Sequence, residues 1–144
     1  GPGLETGTLN HEGIAGATAA VEYLAKGQGR TGLQATYASL EQHGQALLER
    51  LWAGLERLPR VTLFGPNPEA RRTPTVAFTV AGLSSGQVAA RLADEAVFVS
   101  HGDFYATTVV RRLGQAEQGL VRAGCACYTT GEEVDRLVAA VADL

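Results

Sequence analysis

A single arginine, Arg122, interrupts the otherwise apolar or small run Leu120–Gly124, whose composition is typical of a β-strand. A buried strand does not tolerate an unpaired guanidinium, so the side chain must either reach solvent or meet an anionic partner. The planar fork of N–H donors fits a carboxylate especially well. Most charged residues on strands are simply solvated, so residue type alone favours an arginine on the solvent face of an edge strand over a carboxylate site.

Two other segments carry groups that could do chemistry. His101, Asp103 and Tyr105 bring an imidazole, a carboxylate and a phenol into one loop after a predicted strand, where ligand sites often lie. The arm 5–10, which contains Thr8, precedes a predicted helix whose N-terminal amides could bind a phosphate or carboxylate. An ordinary polar loop and an ordinary helix cap explain the same residues, so neither pattern is specific by itself.

The thiols and the amine of the sequence indicate no chemistry alone. Cys125 and Cys127 are two residues apart, which places both on one face of an extended strand, and a disulfide between them would be strained. No spacing of cysteine and histidine resembles a zinc site, so we expect buried thiols and no metal. Lys26, the only lysine, follows a predicted helix, where a cation stabilises the helix dipole, and we expect it at the surface.

The composition describes one soluble globular domain. The 144 residues contain 12 Lys and Arg against 15 Asp and Glu, a net charge of -3, with 45% hydrophobic residues. This balance argues against nucleic-acid binding, and the sequence shows neither a membrane-spanning apolar run nor a signal peptide, so we expect a cytoplasmic protein. Because the sequence contains no Met and begins with Gly1-Pro2, we expect residues 1–3 to be the remnant of a cleaved tag on part of a longer protein.

The apolar periodicity predicts two N-terminal helices and then the order β-β-α-β-α-β-α. Capping-box spacing at Thr31, Ser84 and Thr130 predicts three helix starts. The order predicts an α+β fold with a small mixed β-sheet covered by helices, related to ferredoxin-like units and preceded by two bridging helices. We predict an arm with connecting helices over 4–58 and an α+β domain over 59–144. The two N-terminal helices are predicted at 11–26 and, as a long helix, from Thr31 to Leu58. The predicted strands cover 61–64, 74–80, 97–99 and 119–128.

Two ordered motifs resemble those of class V aminotransferase-like enzymes, the pyridoxal-phosphate group that includes the cysteine desulfurases. Arg122 followed by the run 128–137, YTTGEEVDRL, is similar to the family ending "R-x-S, then Y-N-T-x-E-E-V-D-R-L". The arm ETGTLN at 5–10, followed by GIAG at 13–16, is similar to the family's "G-T-P-N" arm and glycine-rich helix. The resemblance covers essentially all of the chain from Leu4 to Leu144.

The resemblance implies a fold and several roles. It identifies the chain as the C-terminal small domain of a fold-type I enzyme with its connecting helices, which works as a homodimer with an N-terminal pyridoxal 5'-phosphate (PLP) domain that is missing here. It implies that Arg122 binds the α-carboxylate of an amino-acid substrate. It also implies that Thr8 reaches the cofactor phosphate of the neighbouring subunit. With the loop 101–105 as a substrate-side lid, Asp103 and Tyr105 become candidate substrate contacts.

The sequence also departs from the family. No match exists to the motif of the cofactor-bearing lysine or to the aspartate that pairs with the pyridine nitrogen, so we expect the chain alone to be inactive. Counting back from Arg112-Leu113-Gly114, the loop position that holds the persulfide-forming cysteine of desulfurases falls on Tyr105, and a phenol cannot form a persulfide. Transamination, racemisation and β-elimination stay open, because the cofactor supplies the carbanion chemistry in each.

Three functions follow, of which the first is preferred: the C-terminal domain of a PLP-dependent enzyme acting on an amino acid. The second is a free-standing α+β binding or dimerisation module without catalysis. The third is a cysteine desulfurase that uses Cys125 or Cys127. The encoding reading frame separates the first two, since a long frame with a lysine-bearing motif supports the enzyme and a short frame supports the module.

Overall fold

In the computed structural model the described residues are 7–144. The predicted tag remnant at residues 1–3 and the first part of the arm, Glu5-Thr6, lie outside the described residues. The helices in the described range are α1 (His11–Ala25), α2 (Gly29–Glu56), α3 (Ser85–Asp94), α4 (Thr107–Arg112) and α5 (Gly131–Ala142). The strands are β1 (Val61–Phe64), β2 (Thr75–Val80), β3 (Ser100–Gly102) and β4 (Leu120–Gly124).

The chain divides into two compact units, one ending at Glu41 and the other comprising Gln42–Leu144. In the first unit, α1 begins where the Asn10 side chain accepts a hydrogen bond from the Gly13 amide at 2.9 Å. The hydroxyl of Thr36 on α2 donates to the carbonyl of Leu24 on α1 at 2.8 Å. A Cβ at Gly32 would collide with the carbonyl oxygen of Ala25, so this packing of the two helices requires glycine at that position.

The second unit contains a four-stranded sheet with the order β1-β2-β4-β3. Every neighbouring pair is antiparallel. The α+β fold is therefore confirmed, but the prediction of a mixed sheet is wrong. Although β2 and β3 run parallel and are joined through α3, β4 lies between them and pairs antiparallel with both. The split β-α-β arrangement thus leaves no parallel pair adjacent in the sheet.

The core of this unit lies on one face of the sheet, beneath α2, α3 and α5. Strand β2 alternates as expected for a half-buried strand, with Val76, Phe78 and Val80 buried. The C-terminal part of α2 contributes fully buried leucines, each worth about 1.5–3 kcal/mol of burial. The buried core residues include Leu47, Leu48, Leu51, Leu55, Val88, Leu92, Val121, Ala123, Val134, Leu137 and Val141.

Local signals predicted most elements, although several boundaries differ. The capping boxes at Ser84 and Thr130 are both present. Thr31 does not cap a helix, because α2 already begins at Gly29. The third strand is β3 rather than 97–99, since Ala96 adopts a left-handed φ of 54° and Val97 then packs into the core. The last strand ends at Gly124, where the chain leaves the sheet.

Candidate functional site

Arg122 lies on an interior strand and points away from the core. Its neighbours Val121 and Ala123 are buried, whereas Arg122 is exposed. It lies opposite Ala77 of β2 and Ser100 of β3. The expectation of an edge strand is therefore wrong, because β4 has a partner on each side, and the alternation of the strand accounts for the exposed side chain.

The guanidinium of Arg122 contacts an aromatic ring. Its Cζ lies 4.3 Å from the centroid of the Phe104 ring, within the range of a cation–π interaction. Within residues 7–144, the guanidinium of Arg122 takes part in neither a hydrogen bond nor an ion pair. Its five N–H donors are thus available to an anion, as a carboxylate site requires.

The loop after β3 places Asp103 and Tyr105 differently. The Asp103 carboxylate accepts hydrogen bonds from the Tyr105 amide at 3.1 Å and from the Thr107 hydroxyl at 2.7 Å. The hydrogen bond from Thr107, and then that from the Tyr105 amide, lower the pKa of Asp103 below its ordinary value. Tyr105 is fully exposed at the loop tip. The structure therefore brings Asp103 into the loop's own hydrogen bonds, while a substrate contact by either residue stays a prediction.

His101 belongs to β3 and not to the loop. It pairs with Val121, whereas Ser100 is the β3 residue that pairs with Arg122. Because successive residues of a strand face opposite sides, His101 lies on the other face of the sheet from Arg122. A Cβ at Gly86 of α3 would lie 3.6 Å from the His101 ring. His101 is thus beside α3, and the loop that was predicted over 101–105 begins only after Gly102, while its role as a lid stays a prediction.

Two shallow grooves meet at Arg122. One, of about 600 Å³, has Thr73, Thr75, Phe98, Ser100 and Gly124 among its lining residues. The other, of about 500 Å³, is formed by Ser100–Tyr105. Arg122 lines both, and in the first groove it is the only charged lining residue. The first groove can therefore accept a ligand that carries one anionic group and is otherwise mostly neutral.

Both cysteines lie after the end of β4. The prediction that they share one face of a strand is therefore wrong. Cys125 is partly buried against the core and Cys127 is exposed, so the prediction of two buried thiols holds in part for Cys125 and is wrong for Cys127. Burial, and then the negative charge of Glu133, raise the pKa of the Cys125 thiol above its ordinary value. A raised pKa leaves less thiolate at neutral pH, which disfavours Cys125 as a nucleophile.

Thr8 and Lys26 belong to the unit that ends at Glu41. Thr8 is exposed and precedes the Asn10 cap of α1. Lys26 is exposed, as predicted, and ends α1 with a left-handed φ of 50°. Among residues 7–144, His, Cys, Asp and Glu side chains form no cluster of three suited to a metal ion. In the same range, no helix combines the length and apolar composition needed to cross a bilayer.

Residues 2–137 match the family described as Aminotransferase class-V. The chain belongs to this family. Enzymes of the family use PLP. The match confirms the resemblance that was inferred from the two motifs at opposite ends of the chain.

Relatives and solved structures agree with this assignment. The chain is 37% identical over 115 residues to an aminotransferase-like protein of Gibberella zeae, covering 74% of this chain and 27% of that protein. It is 33% identical over 132 residues to a probable cysteine desulfurase of Synechocystis, covering 90% of this chain and 31% of that protein. A cysteine desulfurase structure from Escherichia coli superposes with a TM-score of 0.75 at 28% identity, over 95% of this chain and 31% of that one. The chain thus spans about a third of the length of the relatives it matches.

Phe104 was not among the residues predicted for the site. An aromatic side chain in a polar loop was visible, but its place over Arg122 depends on the pairing of β3 with β4 and on two left-handed residues, Phe104 and Tyr105. Neither feature has a local sequence signal here, because glycine is the usual marker of a left-handed φ.

Proposed function

We propose that this chain is the C-terminal part of a PLP-dependent class V aminotransferase-like enzyme that acts on an amino acid. Arg122 carries the proposal. Its exposed guanidinium has free donors, and its position matches the arginine to which the family resemblance assigns the substrate α-carboxylate. The homodimer, the N-terminal cofactor domain and the cytoplasmic location are parts of the same proposal, supported by the resemblance.

Two of the described residues are suited to contact the phosphate of PLP and the carboxylate of its substrate. The exposed hydroxyl of Thr8, ahead of a helix N-terminus, is suited to a phosphate oxygen, and the fork of Arg122 is suited to a carboxylate. When bound, PLP would supply the electron sink for carbanion chemistry. The residues of this chain would bind and orient: Arg122 fixes the carboxylate end of the substrate, and Thr8 contacts the phosphate of the neighbouring subunit.

The mostly neutral groove beside Arg122 supports an amino-acid substrate with a single carboxylate and an uncharged side chain. Thr73, Thr75 and Ser100 add hydroxyl groups there, and Phe98 adds an apolar surface that is 82% exposed. The raised pKa of Cys125 and the phenol of Tyr105 in the loop both weigh against persulfide formation by this chain. Cys127, like Cys125, lies after β4 rather than in the loop after β3. We therefore favour transamination, racemisation or elimination over desulfuration by Cys125 or Cys127.

The test is a comparison of Arg122→Ala with Arg122→Lys and the control Arg91→Ala in the full-length protein. Arg91 is an exposed arginine near the end of α3. Losing charge-assisted hydrogen bonds worth about 1.5–3 kcal/mol should raise KM for the amino acid about 10- to 100-fold in Arg122→Ala. Arg122→Lys should retain part of the affinity, and Arg91→Ala should match the wild type. Unchanged KM in Arg122→Ala would show that another group binds the carboxylate.

A further inference from the structure

We propose that Phe104 is a positioning residue for Arg122 and that Asp103 holds Phe104 in place. The inference deepens the proposed function and rests on it, because it assigns a second residue to the binding of the substrate carboxylate. It also changes the expected role of Asp103, from a substrate contact to a support for the loop.

The contact with Phe104 leaves donors of Arg122 for a ligand. A guanidinium carries five N–H donors in a planar fork, and the Cζ of Arg122 lies 4.3 Å from the centroid of the Phe104 ring, so a single ring can meet only part of the group. The ring therefore restricts the rotamers of Arg122 and leaves donors for a carboxylate. An arginine that is already oriented loses less entropy when it binds a carboxylate, so the ring should increase affinity.

The Asp103 hydrogen bonds fix the loop in the conformation that places the ring. Phe104 and Tyr105 have φ values of 55° and 59°, a left-handed pair that side-chain-bearing residues rarely adopt. Asp103 opposes this strain, because its carboxylate accepts from the Tyr105 amide and the Thr107 hydroxyl. Its backbone carbonyl also accepts from the Ala106 amide at 2.8 Å. The negative charge of Asp103 is thus satisfied by loop donors.

The Phe104 ring lies apart from the hydrophobic core. It is only partly buried, and the described core cluster beneath α2, α3 and α5 does not include it. A substitution at Phe104 should therefore affect the positioning of Arg122 much more than the folding of the sheet. This separation makes the inference testable by mutation.

The experiment uses steady-state kinetics of the full-length holoenzyme with Phe104→Leu, Phe104→Tyr and the control Phe64→Leu. Phe64 is a partly buried residue of β1, separated from β4 by β2. We expect Phe104→Leu to raise KM for the amino acid about three- to tenfold, with kcat changed less than twofold. Phe104→Tyr keeps an aromatic ring and should retain the wild-type KM. The control Phe64→Leu should also have the wild-type KM. Asp103→Asn should raise KM in the same direction as Phe104→Leu.

A double variant separates positioning from direct binding. If Phe104 acts through Arg122, adding Phe104→Leu to Arg122→Ala should raise KM no further. An equal rise in both backgrounds, or no rise in either, would overturn the inference. Unchanged KM in Arg122→Ala itself would instead contradict the proposed function, so the two failures are distinguishable.

The stacking can also be observed without catalysis. In the full-length protein labelled with 15N-arginine, the Arg122 Nε–H signal can be assigned by its loss in Arg122→Ala. We expect a ring-current shift of this signal that Phe104→Tyr retains and Phe104→Leu removes. An Arg122 signal at the same position in the wild type and in Phe104→Leu would contradict the stacked arrangement.

Discussion

The arginines of this chain differ in what their donors contact. Arg50 forms a two-pronged ion pair with Asp135 between α2 and α5, and Arg136 donates to the carbonyl of Glu95. These contacts hold elements together. Arg122 instead contacts the ring of Phe104 and lines the groove, and in the described residues its donors meet no acceptor. An exposed arginine whose orientation is set but whose donors are unused is suited to binding a ligand anion.

The two cysteines should differ in reactivity. Because burial raises the pKa of Cys125, less of its thiol ionises at neutral pH, whereas Cys127 is exposed. We expect iodoacetamide at pH 7.5 to alkylate Cys127 first in the 144-residue chain. Cys125 should react faster as the pH rises toward its raised pKa. Mass spectrometry of the peptides over time measures both rates, with Cys125→Ser and Cys127→Ser as the matched controls.

Equal or faster labelling of Cys125 at pH 7.5 would contradict its assignment as a weakly ionised thiol. Sulfide release from cysteine by the full-length protein, lost in Cys125→Ser or Cys127→Ser, would support the desulfurase alternative instead.

Helices α2 and α5 pack together on the buried face of the sheet. Their packing depends on a close approach at Gly54. A Cβ placed on Gly54 would lie 2.7 Å from Cγ2 of Val138, a branched side chain with little freedom to move. We expect Gly54→Ala to lower the free energy of unfolding by about 1–3 kcal/mol. In the control Gly16→Ala, on α1, a Cβ meets nothing within 4 Å, and we expect a gain of up to about 1 kcal/mol. Urea unfolding measures both, and a stabilised Gly54→Ala would show that the helices can separate without cost.

The sequence predicted those elements whose signals are local. Capping boxes and alternation located α3, α5 and β2, since each depends on residues within one element. The antiparallel sheet could not be predicted in the same way, because the insertion of β4 between β2 and β3 joins residues far apart in sequence. The shift of the third strand depends on a left-handed alanine, Ala96, which no pattern marks.

In the candidate site, too, only the features with a local sequence signal could be predicted. Arg122 stood out because its charge interrupts an apolar run, but its role came from the family resemblance rather than from its spacing. Phe104 was missed, since its contact with Arg122 exists only after β3 and β4 pair. The roles of Thr8 and Tyr105 stay predictions.

At the scale of the molecule, this chain matches about a third of each relative and contains two compact units. The unit Gln42–Leu144 has its own core and holds Arg122, and the unit ending at Glu41 holds Thr8. The only lysine of the 144 residues, Lys26, follows the last turn of α1. Under the proposed function we expect the cofactor lysine to lie in another part of the protein, because the family's lysine motif has no match in these residues.

The most direct test of the central claim is to map where PLP attaches in the full-length protein. PLP is added, the imine is reduced with borohydride, and the labelled peptide is identified by mass spectrometry. We predict a label on a lysine outside these 144 residues. A label on Lys26, or full-length protein that takes up no PLP, would contradict the assignment of this chain as the substrate-binding part of a PLP-dependent enzyme.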